Sequence, residues 1–167
     1  MSINSWMTSR NWASLPQPDL APGGWGWRLL VLQAALALLL ARLLIACLRF
    51  GRWRRLLGTA SPAPGRSAPA AAGSKPLHPR DARLAAAVER AAVRLPLTLL
   101  CLPRAMALHW LLHRDKRPAA LLFGTLPGSS RGTLDDLHAW IECDGVVLIG
   151  ASERPYNLLA RFVFIRN

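Results

Sequence analysis

The hydrophobic spacing of the C-terminal half changes near Pro118, and this change constrains the fold more than any other feature of the sequence. Before it, apolar residues three and four positions apart predict a helix over about 80–94. A second helix is predicted to begin just after Cys101, because Pro103 suits a first helical turn and the apolar pattern continues beyond it. This helix should end near residues 113–116.

Beyond that point the apolar runs are short, as in strands. Residues 119–125 are predicted to form a buried strand, 126–136 a Gly/Ser loop and 137–143 a second strand. Asp144-Gly145 is a tight-hairpin signal that leads into another apolar run at 146–150. Helices followed by antiparallel strands place the chain in the α+β class.

The N-terminal half contains a long apolar run, residues 29–48, which is long enough to cross a bilayer as a helix. Arg42 within it would cost up to about 3 kcal/mol on insertion. Arg28, Arg42 and Arg49 also fall on one stripe of such a helix. The stripe favours a helix that packs on protein or lies at a membrane surface, while a true span stays open.

Composition then divides the chain into four segments. Residues 1–27 are predicted to be a flexible, Trp-containing arm and 28–57 the apolar, Arg-striped helix. Residues 58–79 are almost entirely Ala, Pro, Ser and Gly and are predicted to be a linker. Residues 80–167 are predicted to form the folded domain.

The chain carries 21 Lys and Arg against 9 Asp and Glu, a formal net charge of +12. Such a surface attracts acidic partners or an anionic membrane face. The arginines are mostly scattered, however, and only Arg52, Arg54 and Arg55 cluster, around Trp53. Nucleic acid is therefore not expected as a partner.

The three cysteines, Cys47, Cys101 and Cys143, form an odd set without Cys-x-x-Cys spacing. The set predicts neither a disulfide framework nor a zinc site, and no metal or cofactor is expected. The N-terminus lacks the basic and apolar pattern of a secretory signal. A cytoplasmic location is expected, with the inner face of the membrane left open by residues 29–48.

One cysteine and one histidine stand where catalytic chemistry would need them. A Cys that opens a helix gains a dipole, and a neighbouring imidazolium adds charge that stabilises the thiolate. Cys101 opens a predicted helix and His138 lies on a predicted strand, which is the spatial plan of papain-like hydrolases. Taken singly, each residue is more often structural. His109 and His113 lie too far along the helix of Cys101 to reach back to it.

An ordered set of motifs resembles a known family. The set is Cys101-Leu102-Pro103-Arg104-Ala105-Met106-Ala107-Leu108, then Trp110-Leu111-Leu112, Leu121-Leu122-Phe123-Gly124 and His138-Ala139-Trp140-Ile141-Glu142-Cys143-Asp144-Gly145. It resembles the leader-peptidase half of lasso-peptide B proteins, with Phe123-Gly124 in place of Ile-Gly. The resemblance covers about 80–162 and extends loosely towards Leu57.

This resemblance implies a papain/transglutaminase-like core, with N-terminal helices packed on a small antiparallel sheet and preceded by an apolar helix. It implies a cysteine protease that cuts the leader from a precursor peptide, with Cys101 as nucleophile and His138 as base, so that 80–167 is the catalytic domain. The implied partners are the precursor, a separate leader-recognition protein and an asparagine-synthetase-like, ATP-dependent cyclase. Membrane association through 29–48 remains open.

The chain departs from the family at the third member of the triad. The family commonly places an Asp about a dozen residues after the His, and Gly150 stands there. The pair either works as a dyad or uses another acid, for which Asp144 is the candidate and Glu142 a further one. Two other functions stay open: a transglutaminase-type acyl transfer by the same residues, and a non-catalytic, membrane-associated scaffold.

Overall fold

A computed structural model of the chain describes residues 24–62, 66–67, 77–127, 137–152 and 155–164. Nearly all of the predicted arm at 1–27 lies outside these residues. The helices are α1 (Trp25–Cys47), α2 (Phe50–Trp53), α3 (Pro79–Arg94) and α4 (Cys101–Arg114), with a 3-10 turn at Arg54–Leu57. The strands are β1 (Thr59–Pro62), β2 (Arg66–Ser67), β3 (Ala120–Thr125), β4 (Leu137–Cys143), β5 (Val146–Ile149) and β6 (Tyr156–Val163).

The described strands form one antiparallel sheet in the order β1-β6-β3-β4-β5, and β2 pairs with the remaining length of β6. The central pair places Gly124 of β3 directly opposite His138 of β4. Asp144 and Gly145 connect β4 to β5, and both have positive φ, 52° and 81°. This is the geometry that a two-residue hairpin requires, so the predicted turn is confirmed.

The helices cover one face of this sheet. Leu121, Ile141 and Phe162 on that face join Met106 and Leu108 of α4 in the main core. The opposite face carries a smaller cluster, which contains Trp140 and Tyr156. A sheet covered by helices on one side confirms the α+β prediction.

Helix α1 packs against α3 and α4 and belongs to the main core. Its inner face, which is almost fully buried, consists of Leu30, Val31, Ala34, Leu38 and Ala41. The turn after α2 is fastened to α4 by two neighbouring side chains. His109 Nε2 lies 3.0 Å from the carbonyl oxygen of Leu57, and Trp110 Nε1 donates to that of Leu56 at 2.8 Å.

Most predicted elements agree with the structure, but two segments differ. The helix predicted over 28–57 ends at Cys47 and is followed by α2 and the 3-10 turn. The second difference lies in the segment predicted to be a linker, 58–79. Residues 59–62 and 66–67 of that segment are strands that pair with β6. Because β1 and β2 add to the sheet and α1 adds to the core, the described residues of 24–67 and those of 80–164 belong to one folded unit. Most of the predicted loop 126–136 lies outside the described residues.

Candidate active site

Cys101 is the first residue of α4. The residue before it, Leu100, has no side-chain acceptor, so no N-cap side chain binds the free backbone N–H groups at the helix start. The imidazole of His138 and the backbone N–H groups of Ala139 and Leu102 are the groups that favour the ionised form of the Cys101 thiol. The start of α4, strand β4 and the His138 imidazole therefore meet at the half-buried sulfur of Cys101.

These contacts set the pKa of the Cys101 thiol. Burial alone would raise the pKa, because it disfavours the charged thiolate. The hydrogen bond and charge of His138, together with the two backbone N–H groups, outweigh burial and bring the pKa below its ordinary value. Cys101 is thus the kind of thiol that acts as a nucleophile.

The second member of the pair, His138, is held from its other side by a backbone group. His138 Nε2 lies 2.7 Å from the carbonyl oxygen of Gly150. Because a carbonyl only accepts, Nε2 must carry a proton, which leaves Nδ1 as the nitrogen for Cys101. The ring therefore has the tautomer that a general base towards the thiol requires.

The pKa of His138 shifts in the direction opposite to that of Cys101. Burial would lower it, but the hydrogen bond to Cys101, the hydrogen bond to the Gly150 carbonyl and the attraction of the thiolate raise it above its ordinary value. A lowered thiol pKa beside a raised imidazole pKa favours the thiolate–imidazolium pair.

Gly150 could not be replaced by a larger residue without moving this carbonyl. Its φ is +79°, and a Cβ would lie 2.7 Å from the carbonyl oxygen of Ala139 and 2.9 Å from Trp140 Cβ. The residue is therefore glycine for two reasons, its backbone conformation and its closeness to β4. Its contribution to the site is the main-chain acceptor that orients His138.

Two aromatic rings pack on the His138 imidazole. The Tyr156 ring is stacked on it at a centroid distance of 4.8 Å, and the Trp140 ring at 5.8 Å. Gly124 makes room for them, since a Cβ there would lie 2.9 Å from Tyr156 Cβ and 3.0 Å from Trp140 Cη2. Gly124 belongs to one of the sequence motifs, but no local pattern indicates this role for it.

The structure does not bring Asp144 to the Cys101–His138 pair. Asp144 lies in the β4–β5 turn, six residues after His138, which is about 20 Å along an extended chain. Glu142 shares the strand face of His138 but lies about 13 Å along the strand from it. Neither carboxylate is among the groups that influence the pKa of His138.

The other cysteine of the core, Cys143, shows the opposite environment. Its thiol donates to the carbonyl oxygen of Pro118 at 2.8 Å and lies 3.4 Å from Asp81 Oδ2. Burial, followed by the Asp81 carboxylate, raises the pKa of Cys143 to about 12. This thiol stays protonated and has a structural role.

Within the described residues no group of three or more His, Cys, Asp or Glu side chains is arranged to hold a metal ion.

Comparison with known protein families matches residues 36–161 to the transglutaminase-like superfamily. The match spans well over half of the chain, from the middle of α1 to β6, and it contains both Cys101 and His138. The chain belongs to the transglutaminase-like superfamily. This fold, with its Cys–His pair, is compatible with a cysteine peptidase or an acyl transferase. Comparisons with curated proteins and with solved structures found no match.

Proposed function

We propose that this protein is the cysteine peptidase that removes the leader from a lasso-peptide precursor before the macrolactam ring is closed. The observation that supports the proposal is the pairing of Cys101, at the start of α4, with His138, in which the histidine lowers the pKa of the thiol and the thiol raises that of the histidine. The ordered motifs that contain these two residues resemble the leader-peptidase half of lasso-peptide B proteins. The proposed partners follow that resemblance: a precursor peptide, a separate leader-recognition protein and an asparagine-synthetase-like cyclase that consumes ATP.

The proposed chemistry begins from the thiolate–imidazolium pair. The Cys101 sulfur attacks the scissile carbonyl carbon, and the developing oxyanion is stabilised by the backbone N–H of Cys101 itself, which as the first residue of α4 has no intrahelical acceptor. The amide C–N bond then breaks as His138 gives its Nδ1 proton to the leaving amine. Water, deprotonated by His138, hydrolyses the thioester and releases the leader as a carboxylate.

The Gly150 carbonyl takes over part of the role of a triad acid. It fixes the tautomer and the orientation of His138, but it carries a dipole in place of a full negative charge. When an acid is replaced by an amide in a Ser-His-Asp site, the wrong tautomer causes most of the loss in rate. Because the tautomer is retained here, the dyad should keep substantial activity.

The decisive experiment combines the full chain with lasso-type precursor peptides and leader-recognition proteins taken from neighbouring reading frames or from other lasso-peptide systems. Wild-type protein should cleave the precursor at one position, and Cys101→Ala should reduce cleavage to background while the protein keeps its melting temperature. Cys47→Ala is the matched control, because Cys47 is exposed at the end of α1 and should be dispensable. Cleavage by Cys101→Ala would disprove the assignment of the nucleophile.

The superfamily match is equally compatible with hydrolysis and with acyl transfer, and the same assay separates the two reactions. If water resolves the thioester, the new C-terminus is a carboxylate even when a small primary amine is present in excess. An amide product would instead assign an acyl transferase. If all precursors and small acyl donors are inert although iodoacetamide labels Cys101, the non-catalytic scaffold is the remaining interpretation.

A further inference from the structure

We propose that the outward face of α1 docks on an anionic membrane surface, with the helix lying parallel to the bilayer. Along this face runs a row of exposed leucines, which we call the outer ridge: Leu29, Leu32, Leu36, Leu40 and Leu43. Their spacing of three and four residues places them on one side of the helix over a length of about 21 Å. Each has about half or more of its surface exposed.

The outer ridge is far more apolar than a solvent-facing helix side normally is. Surface helices of soluble proteins carry polar residues opposite the face that packs on the core. Here the packed face of α1 is apolar as well, and Trp25, one turn before Leu29 in the same helix, is also exposed. A contiguous exposed patch of this kind marks an interaction surface.

The charges around the ridge indicate which partner it fits. Between Leu20 and Arg80 the sequence contains no Asp or Glu, whereas Arg28 and Arg42 lie on one flank of the ridge. Both guanidinium groups belong to exposed residues, and Arg49, Arg52, Arg54 and Arg55 are exposed just beyond the C-terminal end of α1. An apolar face beside arginines is the pattern of helices that lie in the interface of an anionic membrane.

This charge pattern argues against a second copy of the chain as the occupant. A symmetric dimer through the ridge would bring Arg28 and Arg42 of each copy towards the other copy, with no carboxylate in the α1–β1 segment to neutralise them. Like charges facing one another across an interface are destabilising. Anionic lipid headgroups offer the complementary charge, and because they diffuse in the membrane they can pair with the arginines wherever these lie along the ridge.

Packing argues against a span, although α1 is long and apolar enough for one, with a mean hydropathy of 2.4. Its inner face is buried on α3 and α4, and Gln33 accepts a 2.6 Å hydrogen bond from Arg114 of α4. A span would expose this face to lipid and uncover the core helices. Lying on the surface keeps the packed face on the protein and gives only the outer ridge to the membrane.

The test is flotation of the full-length protein with vesicles of phosphatidylcholine alone or with phosphatidylglycerol added. Wild-type protein should float with the phosphatidylglycerol vesicles, should bind the neutral ones about tenfold or more weakly, and should be released by alkaline carbonate. The ridge variant Leu32→Gln/Leu36→Gln/Leu40→Gln should lose binding. A control that changes three exposed apolar residues elsewhere, Val93→Gln/Leu97→Gln/Leu159→Gln, should bind like wild type.

Each other outcome overturns the proposal. Absence of flotation, equal binding to both vesicle types, or an effect of the control variant as large as that of the ridge variant excludes an anionic docking face. Retention after the carbonate wash shows a span. A concentration-dependent dimer that the ridge variant abolishes, without vesicle binding, assigns the ridge to a second copy. All of these readouts are independent of the Cys101 chemistry, so the two proposals can fail separately.

Discussion

The imidazole of His138 is oriented by the main chain of Gly150, whose carbonyl oxygen lies 2.7 Å from Nε2. Catalytic Cys–His and Ser–His pairs usually rely on a side-chain group for this contact. A carbonyl group cannot be deleted by mutation, but it can be moved. The contact is therefore tested by substitutions that shift the backbone at Gly150, with the ionisation of Cys101 as the measured quantity.

Replacing His138 should shift the reactivity of Cys101 to higher pH. His138 lowers the pKa of the thiol through a hydrogen bond and its charge, while burial acts in the opposite direction. In His138→Gln the contribution of the imidazole is lost, whereas burial continues to raise the pKa. The pKa of Cys101 should therefore rise. The pH profile of iodoacetamide labelling should then move upwards by at least about one pH unit. An unchanged profile would show that the two side chains do not share a proton.

Gly150→Ala should reduce cleavage by about tenfold or more and destabilise the protein by about 1–3 kcal/mol. The added Cβ meets the Ala139 carbonyl and Trp140, so the backbone must shift and the hydrogen bond to His138 is strained. The rate is measured together with the labelling profile of Cys101, and the stability by urea unfolding.

Gly145→Ala provides the matched control for that variant. Gly145 has nearly the same φ, +81°, but a Cβ there would meet nothing within 4 Å. It should lose about 1 kcal/mol of stability from backbone strain and leave the labelling profile of Cys101 unchanged. If both variants shift the profile equally, the effect comes from general destabilisation and the Gly150 carbonyl has no specific role.

Gly124→Ala should lower the cleavage rate although Gly124 is not a member of the Cys101–His138 pair. The new methyl group would crowd Tyr156 and Trp140, whose rings pack on His138. We expect a loss of about 1–3 kcal/mol in stability, as for other overpacked sites, and a tenfold or larger fall in rate at a temperature where the variant is folded. Gly51→Ala, in α2 with open space around it, is the control. A wild-type rate in folded Gly124→Ala would contradict the positioning role.

Asp144→Asn and Glu142→Gln should each cleave at rates within about twofold of wild type, because neither carboxylate is close enough to orient His138. Each variant is measured separately, with thermal unfolding as a check of the fold. A hundredfold loss in one of them with unchanged stability would restore that residue as the acid of the triad, in keeping with the sequence-based expectation for Asp144.

The parts of the fold that follow local rules were predictable. Helix α4, strand β4 and the Asp144-Gly145 turn depend on apolar period and turn chemistry within short windows, and the structure has them where the pattern placed them. Strand β1 has the composition of a linker. It forms because β6 offers an unpaired edge, and such pairing depends on residues about 100 positions away.

The site shows the same division. The helix start and the strand could be predicted, and with them Cys101 and His138. The family resemblance gave Gly150 the place of the third triad member. The contact of its carbonyl with His138 could not be predicted, because a backbone carbonyl is present at every residue and leaves no signature in the sequence. The ring contacts of Tyr156 with His138 depend on the pairing of β6 with β3, which local patterns did not indicate.

The final prediction concerns His109, the buried histidine of α4, and the stability of the fold in acid. Burial first, and then the charge of His113, lower the pKa of His109 to about 4, although its hydrogen bond to the Leu57 carbonyl acts in the opposite direction. In the unfolded chain a histidine has a pKa of about 6.5. Between these values the unfolded state binds the additional proton, so stability falls as the pH falls.

For this one group the loss should amount to roughly 2 kcal/mol between about pH 7 and about pH 5. His109→Gln keeps a donor for the Leu57 carbonyl but cannot titrate. Urea unfolding of both proteins across this range should show a shallower pH dependence in the variant, whatever its stability at neutral pH. Parallel pH dependences would mean that His109 binds a proton as readily in the folded protein as in the unfolded chain, and the expected lowering of its pKa by burial would be wrong.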